Sequence, residues 1–357
     1  MKIHLLSGFL GSGKTTLIHQ ACNYLQREKV KPAVITNDQG IRLVDTGFFE
    51  KLNIPNRQVS KGCFCCNYDD LENGIHSLMA VEQPDIIFAE SVGSCTDIVA
   101  TVMNPLLQFH PRTTVTLTAL VDVRLFQMLL QPGTAVFNES VRYIFFKQLE
   151  EAPVIFITKI DLIDEQSLQE IKQQVKKKYG NKTLLFQNSF DENNIVKWLE
   201  VLNLDSSVFK PSPLQIDYDI YGEGERNLAW HDQEVEIYST KENAAAEAVE
   251  IMNGIYGEIN RQQLPVGHLK FLLNGQIKIS FTTMTGEEII NNLEVQNGTV
   301  ATLLINARVE TSPEILSGLI KEVLKETENR NDCKIIIKGL DSFRPGYPKP
   351  THRMVVN

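Results

Sequence analysis

Over roughly the first 205 residues, short apolar runs alternate with longer amphipathic stretches. The runs are KIHLLS from Lys2, PAVIT from Pro32, DIIFAE from Asp85, VTLTALVD from Val115, PVIFITK from Pro153 and TLLFQ from Thr183. A strand covered on both faces carries apolar residues at successive positions, and helices between such strands make the crossovers of a parallel sheet. The pattern predicts an α/β fold with a mostly parallel sheet. Between about Asn203 and Asp232 the periodicity breaks, and DSSVFKPSPLQ and YGEGERN carry the Pro, Ser and Gly of a connection. Beyond it the expected elements are strand EVEIYS, a helix over 243–262, strands GHLKFLL, QIKISFTT and TVATLLINARV, a helix over 313–329 and strand CKIIIKG. That order fits a smaller α+β domain with helices on one face of an antiparallel sheet. The expected division is residues 1–205, a linker at 206–232, and a second domain over 233–357 ending in a Pro-rich tail.

Length and composition agree with two domains, because 357 residues of which 43% are hydrophobic can bury more than one core. The formal charge of -9 disfavours a general nucleic-acid surface, which needs clustered Lys and Arg to neutralise phosphate. No apolar run reaches the roughly 18 residues of a spanning helix, and the glycine loop interrupts the apolar opening too early for a signal peptide. The expectation is a cytoplasmic protein without a membrane or nucleic-acid partner. Of six cysteines, three crowd into GCFCC as Cys63, Cys65 and Cys66, which points to metal or redox chemistry rather than a disulfide framework.

GFLGSGKTT, residues 8–16, fits GxxxxGK(S/T), with a strand before it and a helical pattern after it. In such a loop backbone N–H groups converge on phosphate oxygens, the lysine reaches the terminal phosphates and the hydroxyl binds magnesium. The positive end of the following helix adds to this attraction. Gly8, Gly11, Ser12, Gly13, Lys14, Thr15 and Thr16 are therefore the expected nucleotide-binding residues, with Thr15 on Mg2+. TKID, Thr158, Lys159 and Asp161 among its residues, ends a strand expected beside the loop. A carboxylate there can accept from guanine N1 and N2 while the lysine stem covers the base, which favours GTP over ATP. Glu90 ends DIIFAE at the carboxyl edge of the sheet, where ligands collect in open α/β folds.

GFLGSGKTT, GCFCC, ESVG at 90–93 and EEAPVIFITKIDL at 150–162 together resemble the CobW/HypB/UreG-like P-loop GTPases of metal homeostasis, especially the CobW branch. The resemblance covers most of the first 205 residues, and a small α+β domain after the GTPase is what such relatives have. It implies that ESVG replaces the usual Asp-x-x-Gly, with Glu90 near magnesium or its water and Gly93 near the γ-phosphate. Lys14 and Glu90 are then the catalytic candidates. Relatives carry Asn-Glu-Phe-Gly where this chain has NDQG at 37–40; Asp38 keeps a shorter carboxylate and Gln39 replaces the aromatic residue, so the role of Asp38 stays open.

The implied function is a slow GTPase that gates delivery of zinc or cobalt to a client metalloprotein or corrinoid-related protein, with a homodimer as one open arrangement. Thiolates suit such metals, and three sulfurs leave one position open for transfer. A closed structural zinc site completed by a distant residue and a redox or merely buried cysteine cluster are the competing readings of GCFCC. For the whole chain the alternatives are a P-loop kinase of a small molecule and a nucleotide switch that handles no metal. No built-in arginine finger is recognisable. Asp122 either serves the site or caps the next helix, His4 and His110 read as structural groups, and the stretch FRPGYPKPTHRM, with Arg344, Lys349, His352 and Arg353, is either an extended docking surface or a solvated terminus.

Overall fold

The central strands form because their residues have apolar neighbours on both sides, and helices cover the faces they leave. In a computed structural model of the chain, residues 1–37, 53–60, 62–131, 136–204, 211–284, 293, 295–296 and 298–355 are described. The switch residues Asp38, Gln39 and Gly40 lie outside them. Described residues up to Gly224, with those from Tyr347 on, form one compact unit, and those from Glu225 to Gly346 form another.

The first unit holds β1 (Lys2–Ser7), β2 (Pro32–Asn37), β3 (Asn56–Val59), β4 (Ile86–Glu90), β5 (Thr114–Asp122), β6 (Val154–Thr158) and β7 (Thr183–Phe186). They make one seven-stranded sheet in the order β3-β2-β4-β1-β5-β6-β7, with parallel pairing throughout. All six predicted strands of this half are present. The missed strand, β3, reads NRQV and, among the described residues, pairs with β2 at the sheet edge, so it has no apolar run to betray it. β1 lies between β4 and β5, the point at which chain order reverses and where open sheets bind ligands. The intervening helices are α1 (Lys14–Arg27), α2 (Tyr68–Val81), α3 (Asn104–Phe109), α4 (Val123–Leu130), α5 (Glu139–Glu151), α6 (Glu165–Tyr179), α7 (Glu192–Leu202) and α8 (Tyr218–Asn227).

α1 buries Leu17, Ile18, Ala21, Cys22 and Leu25, the helical spacing of one apolar face. It packs in a cluster with Trp198 of α7, whose ring stacks on Phe88 at 5.8 Å and whose indole N–H donates to Thr118 at 3.2 Å. His4 is a structural group: its Nδ1 lies 2.6 Å from Thr116 Oγ1, and burial, aided by the charge of Lys2, lowers its pKa to about 3.

The linker expected at 206–232 is not one. α8 occupies part of it and the next strand starts at Leu228. Glycines read as turn residues serve close packing instead, since a Cβ on Gly224 would meet the Ser140 carbonyl oxygen at 2.4 Å. Likewise residues from Tyr347 on, expected with the second domain, group with the first unit.

The second unit contains β8 (Leu228–Ser239), α9 (Ala244–Arg261), β9 (Val266–Leu273), β10 (Ile277–Phe281), β11 (Val300–Glu310), α10 (Pro313–Arg330) and β12 (Cys333–Phe343). The strands form an antiparallel sheet in the order β10-β9-β11-β8-β12. Ile251, Ile255, Ile259, Leu316 and Ile320 from the two helices join its core with Phe271, Leu303 and Ile305.

Candidate functional site

The loop between β1 and α1 is held down by backbone contact. Gly8 has φ 124°, and a Cβ there would meet the Leu120 carbonyl oxygen at 2.1 Å, so only glycine allows β1 to turn against β5. Gly13, with φ 94°, caps α1. Lys14 is buried and donates from Nζ to the Gly8 carbonyl at 2.7 Å and the Phe9 carbonyl at 3.4 Å. Thr15 Oγ1 donates to Glu90 Oε1 at 2.9 Å. β4 pairs with β1 so that Glu90 stands opposite Leu6, which brings the carboxylate to the loop from the adjacent strand. A hydroxyl and a carboxylate at hydrogen-bonding distance are hard oxygen donors of the kind magnesium takes. The Gly93 Cα also touches the loop, since a Cβ on it would lie 2.9 Å from Leu10 N.

TKID meets the same loop from β6. Thr158 Oγ1 donates to the Ser12 carbonyl at 2.9 Å, and Lys159 Nζ donates to the Gly11 carbonyl at 2.9 Å and to Asp122 Oδ2 at 2.8 Å. Lys159 adopts φ 60°, which turns the chain into the short helix Ile160–Leu162 and leaves Asp161 exposed. Asp122 has both readings at once: it caps α4 by accepting from Arg124 N at 3.0 Å, and it anchors Lys159. Burial raises its pKa, but the hydrogen bond from Arg124 and the charges of Lys159 and Arg124 outweigh this and hold the carboxyl below its usual range.

The cysteines of GCFCC converge. Cys63 Sγ lies 2.8 Å from Cys65 Sγ and 3.3 Å from Cys66 Sγ, and the latter two are 3.7 Å apart. The tight turn is closed by Cys66 N and Asn67 N donating to the Cys63 carbonyl, and α2 starts directly after it. Asn37, at the end of β2, braces the loop: its Nδ2 donates to the Gly62 carbonyl at 2.7 Å and its Oδ1 accepts from Phe64 N at 2.8 Å. Hydrogen bonding with the Cys65, Cys66 and Cys95 thiols holds the Cys63 pKa well below the ordinary thiol value. The same bond to Cys63 raises Cys65 and pushes Cys66 up to about 12. The three thiols sit at the positive end of α2, which favours the thiolate form that binds metal. Soft donors of this type fit zinc or cobalt.

The stretch read as an extended docking surface or a solvated terminus packs instead, from Tyr347 on, over this cluster. Lys349 N donates to Cys66 Sγ at 3.3 Å, and Thr351 donates to the Cys65 carbonyl from its N at 2.8 Å and to the Cys66 carbonyl from Oγ1 at 3.0 Å. The His352 ring sits edge-on to Tyr68 at 5.1 Å, and Arg353 Nε donates to Asp97 Oδ2 at 2.8 Å. His110, read as structural, bonds Glu72 at 2.8 Å; with His76 these side chains form the other group of potential metal ligands among the described residues.

Sequence reasoning missed Cys95, Asn37 as a brace and the buried Gln148 and Glu151 of α5. Only the apolar-looking helix context around Gln148 and Glu151 signalled that polar side chains there needed partners.

A family model described as the CobW/HypB/UreG nucleotide-binding domain matches residues 2–186. The chain belongs to this family. Among curated relatives, the zinc chaperone YeiR of Escherichia coli is 25% identical over 187 residues, 52% of this chain and 54% of that protein. Zinc-regulated GTPase metalloprotein activator 1 of Dictyostelium discoideum is 25% identical over 244 residues, 59% of this chain and 50% of that one. The chain thus spans about half the length of these family members. In structure, HypB from Helicobacter pylori in complex with nickel is similar at 16% identity and a TM-score of 0.44, covering 60% of this chain and 91% of that one. No described helix is long and apolar enough to cross a membrane.

Proposed function

We propose that this CobW-family chain is a GTPase metallochaperone: it binds zinc or cobalt at Cys63, Cys65 and Cys66 and uses GTP hydrolysis to gate delivery to a client metalloprotein or corrinoid-related protein. The observation that carries this is the placement of Asn37, which ends the strand leading into the candidate switch and also clamps the cysteine loop through Gly62 and Phe64. Movement at the end of β2 would therefore bear directly on the loop that carries the thiols. The relatives named as a zinc chaperone and a zinc-regulated GTPase support the same reading.

Catalysis rests on position and charge. Gly11, Ser12, Gly13 and Thr16 supply loop backbone around the phosphates. Lys14 exchanges its loop carbonyls for terminal phosphate oxygens. Thr15 and Glu90 are the residues that would hold magnesium, which when bound neutralises charge on the β and γ oxygens. Glu90 also orients the attacking water, and Gly93 offers its backbone near the γ-phosphate. Thr158 and Lys159 fix the base end of the loop, and Asp161 reads guanine.

Metal analysis of the purified chain with a GTP analogue and with GDP tests the proposal. Metal content that follows nucleotide state is expected. Equal content in both states, or unchanged stoichiometry in a triple Cys→Ser variant, overturns it, and tighter binding of ATP than of GTP would favour the kinase.

A further inference from the structure

We infer that Glu72, His76 and His110 form a second metal site, outside the cysteine cluster, that takes one zinc-class divalent ion and leaves one coordination position open. Their ligand atoms lie within 4.8 Å of one another, and no residue is shared with the cysteine cluster. The inference therefore stands apart from the reading of Cys63, Cys65 and Cys66.

Two elements of the first unit build the site. α2 buries Tyr68, Leu71, Ile75 and Leu78, and Glu72 and His76, four positions apart, are neighbours on its more open side. Glu72 is half-buried and His76 is exposed. His110 caps the end of α3, and its backbone is fixed from both directions: its N–H donates to the Leu106 carbonyl and its carbonyl accepts from Thr113 N, each at 2.9 Å. From there its Nε2 donates to Glu72 Oε1 at 2.8 Å, and its ring stands edge-on to that of His76 with centroids 5.5 Å apart.

A Glu–His contact alone is an ordinary ion pair. A second imidazole one turn along the same helix changes its chemistry, because two ring nitrogens and a carboxylate oxygen are a set that holds catalytic zinc. In a tetrahedral shell with ligands at about 2.0–2.1 Å the donor atoms are roughly 3.4 Å apart, so these three close in by at most roughly 1.5 Å, which rotation of the exposed His76 side chain can supply. As the ion binds, the proton leaves His110 Nε2 for the other ring nitrogen or for water, with no change of oxidation state. Three protein ligands leave the fourth position for water or an incoming donor. Tyr68, one turn before Glu72, and Phe109, beside His110, both meet the His352 ring edge-on, at 5.1 and 5.3 Å. An ion that ties α2 to His110 thus braces the seat of His352.

The test uses the full chain as wild type and as the triple Cys→Ser variant at 63, 65 and 66, each with and without His76→Ala or His110→Ala; His19→Ala is the control for loss of a histidine elsewhere. Equilibrium dialysis counts zinc and X-ray absorption identifies its neighbours. Expected in the triple Cys→Ser variant is one zinc with nitrogen and oxygen neighbours at about 2.0–2.2 Å and none at the sulfur distance of about 2.3 Å. His76→Ala and His110→Ala weaken that ion by about tenfold or more, since even outer partners of a ligand cost that much, and His19→Ala leaves it unchanged. Zinc without imidazole neighbours, or zinc affinity unchanged in both His76→Ala and His110→Ala, overturns the second site and leaves the cysteine reading standing. Wild type that binds zinc through these histidines and without sulfur does the reverse. If the triple variant does not fold, the histidine variants are compared in wild type, where the ion they remove must be the one without sulfur neighbours.

Discussion

Asp161 stands exposed on its short helix, two residues beyond a lysine that is pinned from two sides, by the Gly11 carbonyl and by Asp122. Replacing it with Asn swaps an acceptor for a donor, so Asp161→Asn is expected to lose guanine affinity by about 1–3 kcal/mol and to favour xanthine nucleotide. A nucleotide titration reads this directly. Lys14→Ala is expected to abolish GTP hydrolysis with the circular dichroism unchanged, because the side chain bonds carbonyls of the loop rather than the sheet or helices; hydrolysis at the wild-type rate would refute the assignment. Glu151 provides a stability test. Burial, together with the charge of Asp97, pushes its carboxyl up to about 8, against hydrogen bonds from Thr96 and Val99 N. The folded chain therefore keeps a proton that the unfolded chain has released above its ordinary value of 4.5. This contribution is full below that value and is lost as pH rises through about 8. Glu151→Gln keeps the neutral form at every pH. Thermal unfolding of this variant at pH 9 should show a gain of about 2–4 kcal/mol over wild type, shrinking to nothing near pH 4.

At the scale of elements, residues 347–354 act as a strap. Their backbone covers Cys65 and Cys66, and Arg353 supplies the cation for Asp97, which is 1% exposed and whose pKa burial raises despite bonds from Tyr218 and Arg353. Removing Arg353 leaves a buried carboxylate short of its charge partner. Arg353→Ala is expected to cost about 1–3 kcal/mol and to speed the reaction of Cys66 with a thiol reagent several-fold. An unchanged thiol reaction rate would show that the strap does not guard the cluster. The strap and α8 share a second contact, with Tyr347 donating to Asp219 at 3.1 Å.

At the scale of the whole molecule, each unit has its own core and its own buried polar pair. In the second unit Arg308 is fully buried, pairs with Asp232 at 2.8 Å and 3.1 Å, and lies over the Trp230 ring at 3.8 Å. Asp232→Ala strands that guanidinium and is expected to destabilise the unit by about 3–5 kcal/mol, with much of the loss recovered by adding Arg308→Met. On the proposed function, guanine nucleotide would stabilise the first unit by mass action. Scanning calorimetry with and without GDP should therefore raise unfolding of the first unit in wild type and in Asp232→Ala alike.

Continuous apolar runs announce strands buried on both faces, so the parallel sheet, the phosphate loop and most of the second unit's strands and helices were legible from residue order alone. The residues of that loop stand out because its glycines, lysine and threonine are contiguous. Tertiary structure decided what depends on approach between distant segments. Edge strand β3 has polar residues and no pattern, and α8 hides glycines that exist for contact with Ser140. Three cysteines in five residues mark a candidate metal site in the sequence, but the groups that hold their loop come from far along the chain: Asn37 at the end of β2 and the backbone of Lys349 and Thr351 reach it only after folding, because their contacts are backbone hydrogen bonds that leave no sequence pattern.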